Sequence, residues 1–210
     1  MTMQATARET VVDMPLEMDS QEPDESLMLQ YAQGDGEAFE ALFQRHKNRV
    51  YGFIRRFMGG RCPADDLFQE VFLRIVRGRT AYRPSAKFTT WLFTIVRSVC
   101  IDTMRKQKHQ QVNMPMDEMP ESNMTHESPP VIQITPRDHA ADRETGEVLE
   151  QLIGILPAEQ REVLLMREKL NLPFHEIARV TGCSVGTVKS RMRYALDSLR
   201  KGLIAEGLMQ

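Results

Sequence analysis

No stretch of this 210-residue chain holds the roughly 20 consecutive apolar residues that a membrane-spanning helix needs. Its first 24 residues lack the basic and then apolar order of a secretory signal, so no membrane insertion is expected and the expected location is cytoplasmic. Cysteine is scarce. Cys62, Cys100 and Cys183 stand far apart, with no CxxC pair and no histidine at ligand spacing, which supports neither a disulfide framework nor a zinc site. The five histidines, His46, His109, His126, His139 and His175, are scattered. A phosphate-binding Walker loop, a dinucleotide glycine fingerprint and a zinc-protease helix motif are all missing. Enzymatic chemistry therefore has no support: no catalytic residue, no metal and no cofactor is expected.

Charge is present but unevenly placed. Twenty-seven basic and 29 acidic side chains give a net charge of -2, yet residues 26–106 carry 14 basic against 7 acidic groups. That block lies between an acidic leader (1 against 7 in residues 1–25) and a second acidic segment (3 against 7 in residues 107–146). Local field rather than net charge attracts phosphate, so a polyanionic partner stays open despite the acidic total.

Residues 1–24 contain Pro15 and Pro23, show no apolar periodicity and read as a disordered leader. From there apolar residues recur at helical spacing: Leu29, then Phe39, Leu42 and Phe43, then Val50, Phe53, Ile54 and Phe57. Breaks at Gly34-Asp35-Gly36, Gly59-Gly60 with Pro63, and Pro84 fall where helices should stop. A third helix is expected to open with Asp65 or Asp66 as N-cap and to bury Leu67, Val71 and Ile75. A fourth is expected to open near Ser85 or Thr89 and to run through Trp91, Leu92, Ile95, Val96 and Val99. Residues 107–146, polar and interrupted by Pro115, Pro120, Pro129, Pro130 and Pro136, have the composition of a flexible linker. Its methionines, Met114, Met116, Met119 and Met124, read as scattered residues of a tether. Helical periodicity returns at Val148, Leu149, Leu152 and Ile153, with Pro157 marking the next helix start. The expectation is an all-α chain: a helical domain over 25–106, a linker over 107–146, a second helical domain over 147–204 and a tail over 205–210.

Within the second domain, residues 174–191 have the spacing of a helix-turn-helix. Small Ala178 lets two helices cross closely, Gly182 can take the left-handed turn conformation, and Ile177 with Val188 can share a core. Ser184 then caps the second helix. A recognition helix needs short polar and cationic groups near its N-terminus to reach base edges and phosphates in the major groove. Ser184, Thr187, Lys189, Ser190, Arg191 and Arg193 supply them, and residues 179–201 hold six basic groups against Asp197 alone.

Leu156-Pro157, Arg161-Glu162-Val163-Leu164, Glu176-Ile177-Ala178 and Val185-Gly186-Thr187-Val188-Lys189-Ser190-Arg191 together resemble region 4 of the extracytoplasmic-function sigma factors. Upstream, Gly34-Asp35-Gly36-Glu37-Ala38-Phe39 and Asp65-Asp66-Leu67-Phe68-Gln69-Glu70-Val71-Phe72-Leu73-Arg74 resemble sigma region 2 with its polymerase-contacting helix. Phe88-Thr89-Thr90-Trp91-Leu92-Phe93-Thr94-Ile95-Val96-Arg97 resembles the segment that melts the promoter and reads its minus-ten element. The resemblance covers about 25–106 and 147–202. It implies a transcription initiation factor that carries core RNA polymerase to promoters under anti-sigma control in a stress or envelope response. Its partners would be promoter DNA, the clamp of the largest polymerase subunit, the flap of the second largest, and an anti-sigma protein.

Asp66, Gln69 and Glu70 lie within about one helical turn and form a polar edge suited to a basic partner helix. The resemblance makes that partner the polymerase clamp. Single-stranded promoter DNA should be held by stacking surfaces and cations. Motif position assigns this role to Tyr82, Arg83, Lys87, Phe88, Thr90, Trp91, Arg97, Ser98, Ile101, Asp102 and Arg105. Phe88 and Trp91 fit the core pattern as well as the DNA face, and the residues alone leave both readings open. Two other functions fit a helix-turn-helix. One is a transcriptional regulator whose N-terminal domain senses or dimerises. The other, a serine recombinase, would need an α/β catalytic domain where residues 25–106 read as a helical bundle.

Overall fold

The computed structural model of the protein describes residues 22–59, 62–113 and 140–208, so the expected leader and the linker methionines fall outside the described residues. Gly34 and Asp35 show how sequence becomes local structure here. Helix α1 (Asp24–Gln33) ends on Gly34, whose φ of 111° is open to a residue without a Cβ. Asp35 then starts α2 (Gly36–Met58) by accepting from the backbone N–H groups of Glu37 and Ala38 at 2.9 and 3.3 Å. Gly59, also left-handed, closes α2.

Helix α3 (Ala64–Gly78) corrects an expectation: Pro63 occupies the N-cap position and no side chain caps the end. Asp65 and Asp66 lie inside the first turn instead, where negative charge still favours the helix dipole. A 3₁₀ turn (Arg79–Ala81) leads to α4 (Phe88–Asn113), which starts between the two expected caps. Its cap comes from a distant element, for the Phe88 N–H donates to Glu25 Oε1 of α1 at 2.6 Å. Asp24 ties α1 to α2 by accepting from Arg45 at 2.9 Å and facing His46 Nε2 at 2.7 Å. Buried His46, which the sequence left unplaced, is thus a structural residue.

The second half comprises α5 (Ala140–Ile155), α6 (Ala158–Glu168), α7 (Phe174–Thr181) and α8 (Val185–Ala205). No strand occurs among the described residues, in keeping with the all-α expectation. Two helical units on a tether were expected, and the structure adds that they are docked on each other. Helices α5 and α6 pack on α2, α7 packs along α4, and the buried apolar residues of both halves form one continuous core.

The apolar run Val163-Leu164-Leu165-Met166 is buried on all sides, which makes α6 the central helix of the second half. That burial carries Arg161 inside with it, only 2 % exposed. Its guanidinium donates to Phe57 O of α2 at 2.7 Å, to Leu156 O at 2.8 Å and to Gly154 O. Phe57 lies in the last turn of α2 and Gly154 in the last turn of α5, so one cation satisfies the electronegative ends of two helices from opposite halves.

Candidate nucleic-acid interface

Pro173 and Gly182 bracket α7 and set up the helix-turn-helix. Gly182 adopts φ 69°, the left-handed geometry expected of the turn. Ser184 Oγ then accepts from Thr187 N at 3.1 Å and caps α8 as expected. Ile177 and Val188 are both fully buried where the helices cross, with Ala178 beside them. Inward residues of α8 recur as Val188, Met192, Ala195 and Leu199, a three-to-four spacing that leaves the opposite face to solvent. Ser184, Thr187, Lys189, Ser190 and Arg193 are exposed together on that face near the helix start. They have the reach and donor chemistry for a major groove.

Arg191 differs from them. It is half-buried, with Nη1 3.5 Å from Glu162 Oε1 and 3.9 Å from Cys183 Sγ.

On the first half, Asp66 and Gln69 are exposed and Glu70 is half-buried, while Leu67, Val71 and Ile75 point inward. The polar edge inferred from helical spacing therefore exists. Glu70 accepts from Arg74 Nε at 2.8 Å, and Arg74 Nη1 also reaches Asp102 and Ser98 on α4, each at 3.3 Å. One arginine thereby joins the α3 edge to the α4 face.

The α4 set divides by depth. Arg83, Lys87, Ser98 and Arg105 are exposed, and Trp91, Arg97, Ile101 and Asp102 are half-buried. Tyr82 and Phe88 are only 2 % exposed and pack with Trp91 and His46 in an aromatic cluster, Tyr82 meeting Trp91 edge-on at 5.0 Å. Phe88 is thus core, which answers the ambiguity its apolar neighbours created. Burial, with the nearby Glu25 and Asp24 carboxylates, pushes the Tyr82 phenol up to about 12. As packed here, Tyr82 and Phe88 shape the face from beneath and offer no open stacking surface.

Thr90 and Arg97 are covered from above. Thr90 Oγ1 donates to Glu176 Oε2 of α7 at 2.5 Å, and both residues are buried. Arg97 donates to Glu162 through Nε at 2.7 Å and Nη2 at 3.3 Å. Glu162 is 1 % exposed, and burial pushes its carboxyl above the ordinary range against the pull of Arg97 and Arg191. Lys87 Nζ stands 4.0 Å from the other oxygen of Glu176.

Sequence reasoning did not find Glu162 or Glu176 as interface residues. The available signal was their place on helices whose neighbouring positions are apolar, where an acidic residue must find a partner. No helix among the described residues is long and apolar enough to cross a membrane.

Known proteins match both halves in the same order. The family described as sigma-70 region 2 matches residues 42–110, and that described as sigma-70 region 4 matches residues 146–199. RNA polymerase sigma factor CarQ of Myxococcus xanthus is 31 % identical over 176 residues, 83 % of this chain and 94 % of that protein. The RNA polymerase sigma-H factor of Pseudomonas aeruginosa is 31 % identical over 195 residues, 88 % of this chain and 95 % of that protein. Among solved structures, CnrH in complex with the cytosolic domain of CnrY superposes with a TM-score of 0.62 at 25 % identity, covering 87 % of this chain and 97 % of that one.

Proposed function

Because the chain belongs to the extracytoplasmic-function class of RNA polymerase sigma factors, we propose that its two halves divide promoter recognition between them. As a sigma factor it is a transcription initiation factor and not an enzyme. Residues 25–106 act as region 2 and dock on the clamp of the largest core polymerase subunit through Asp66, Gln69 and Glu70. Unpaired minus-ten bases are taken on the α4 face by Arg83, Lys87, Thr90, Trp91, Arg97, Ser98, Ile101, Asp102 and Arg105, with Tyr82 and Phe88 supporting it. Residues 147–204 act as region 4, lean on the flap of the second largest subunit, and read the minus-thirty-five element with Ser184, Thr187, Lys189, Ser190, Arg191 and Arg193. The residues between the halves join the two sites, and the site of action is the cytoplasm.

The observation that carries this division is the pairing, in one chain, of an exposed acidic and amide edge on α3 with an exposed cationic start of α8. A regulator that used α8 alone would have no need of the α3 edge. An anti-sigma partner, as the family implies, also fits, and CnrH was solved in complex with the cytosolic domain of another protein, CnrY.

The test is run-off transcription with sigma-free core polymerase. Transcripts starting at defined promoters only when the protein is added are expected. If core plus protein opens no promoter while the protein alone binds duplex sites tightly, the chain works as a helix-turn-helix regulator and the division of labour fails.

A further inference from the structure

We propose that the cleft between α2 and the turn after α6 is a binding site for a compact phosphate-bearing molecule that carries at least two negative charges. None of its lining residues belongs to the polymerase or DNA sets above.

One face of α2, from Asn48 to Arg56, meets Lys169 and Leu170 around a cleft of about 230 Å³. Three of its side chains, Arg49, Arg56 and Lys169, are cationic. The carboxylate bound among them is Glu150 of α5, which accepts from Arg56 Nε at 2.7 Å, an exposed pair that water screens and a ligand can open. Positive charge is therefore in excess. Arg49 spends Nη2 on the neutral Leu170 O at 2.7 Å, and Arg56 holds Nη1 3.5 Å from Gly52 O. A guanidinium has more N–H groups than these bonds use, so both arginines keep donors for a phosphate. Lys169 and Asn48 are exposed and add an ammonium and an amide at the rim. Phe53 and Leu170, both buried, give the cleft an apolar floor.

Gly52 is the residue that helix formation alone does not ask for. Glycine in the middle of a 23-residue helix weakens it, and its φ is not among the positive ones that would require glycine. A Cβ there would come within 3.3 Å of Arg56 Nη1. The bare backbone keeps the cleft open and lets Arg56 lie across it. Size and charge together then select the occupant. Sites for drug-sized molecules run to roughly 300–1,000 Å³, so this one takes something smaller. Clustered cations favour an anion over a neutral metabolite, and paired guanidiniums suit the oxygens of a phosphate. The lining comes from both halves, so an occupant binds their docked arrangement and stabilises it by mass action.

The experiment titrates the full chain with pyrophosphate by calorimetry at fixed ionic strength. Two variants run beside it: Gly52→Leu plugs the cleft without changing charge, and Lys169→Glu reverses an exposed charge. The parent should bind one equivalent with a dissociation constant below about 1 mM. Affinity should fall about tenfold in Lys169→Glu and more than about thirtyfold in Gly52→Leu, both with the parent's circular dichroism spectrum. If Gly52→Leu fails to fold, Lys169→Glu decides alone. No binding up to about 10 mM, or equal binding by the parent and the folded variants, would overturn the site. The same proteins are titrated with a labelled mixed-sequence single-stranded DNA by fluorescence anisotropy. Parental DNA affinity in the variant that has lost pyrophosphate supports a small-molecule site, whereas an equal loss of DNA affinity would assign the cleft to nucleic-acid phosphate and overturn it.

Discussion

Replacing Arg161 by methionine keeps the aliphatic stem in the core and deletes the guanidinium that holds the ends of α2 and α5. Three backbone carbonyls, those of Phe57, Gly154 and Leu156, lose their donor. A buried acceptor left without a partner costs about 1–3 kcal/mol, and three of them could reach well above 3 kcal/mol. Two effects act the other way. The variant no longer dehydrates a charge, which returns several kcal/mol of ordinary desolvation. Carbonyls at helix ends can also recover bonds within their own last turn or with water. The balance is a loss of about 3 kcal/mol, a large part of the roughly 5–15 kcal/mol total stability of a folded domain. Urea unfolding followed by far-ultraviolet circular dichroism reads it directly. With a slope of about 2 kcal/mol per molar urea, the midpoint should fall by roughly 1.5 M. A loss below about 1 kcal/mol would refute the reasoning, because it would mean the cation's own dehydration cancels its three bonds.

Three shorter predictions concern the surface and the pH response. Asp66→Arg reverses the charge of an exposed α3 residue, so core polymerase affinity should drop about tenfold or more with the circular dichroism spectrum unchanged, and unchanged affinity would remove Asp66 from the docking edge. Arg191→Ala should weaken polymerase-dependent promoter binding by about 1–3 kcal/mol at one minus-thirty-five base pair; an equal loss on every upstream sequence would make it a phosphate contact. Asp24 is pushed upward by burial, but hydrogen bonds from His46 and Arg45 outweigh this and hold its carboxyl below the ordinary 3.8. Its contribution is therefore present above pH 3.8 and lost as pH falls through the lower folded value, so Asp24→Asn should destabilise the protein near neutrality and the gap to the parent should close in acid. A gap that stays constant down to acid unfolding would sink that account.

Helix positions were legible because periodicity and turn chemistry are local. Gly34, Asp35, Gly59, Gly182 and Ser184 each act within a few residues of their own position, and each does what its residue type requires there. The misplaced cap of α3 shows the limit of that logic: Asp65 and Asp66 satisfy the composition of an N-terminus wherever in the first turn they fall, so composition cannot fix the register. Depth was less legible than position. Phe88 and Trp91 share one apolar pattern, and only packing against Tyr82 and His46 makes one core and the other half-buried. The docking of the halves was not legible at all. Arg97 meets Glu162, Thr90 meets Glu176 and Arg161 meets Phe57 across 65 to 104 residues of chain, a distance no periodic pattern spans.

The docking of the halves also explains a balance of charge that looked uninformative. Residues 147–210 carry 9 basic and 8 acidic groups, a near-neutral total for a segment meant to bind DNA. Order along the chain separates them in part, with Arg161, Arg167 and Lys169 among the acidic positions and Asp197 on α8. Glu147, Glu150, Glu159, Glu162, Glu168 and Glu176 all precede Arg179, whereas Lys189, Arg191, Arg193, Arg200 and Lys201 all lie on α8. Glu150, Glu162 and Glu176 sit on α5, α6 and α7, the helices that meet α2 and α4, and each engages a donor on the basic first half. Most of α8's cations remain in solvent. Toward the first half the second thus presents Glu150, Glu162 and Glu176 together with the buried Arg161, and toward solvent it presents the cations of α8. A segment built only to bind duplex DNA gains nothing from the two buried carboxylates of Glu162 and Glu176, since negative charge repels the phosphates it seeks. Their placement matches the first half, which carries a surplus of seven positive charges over residues 26–106 and supplies the donors they meet.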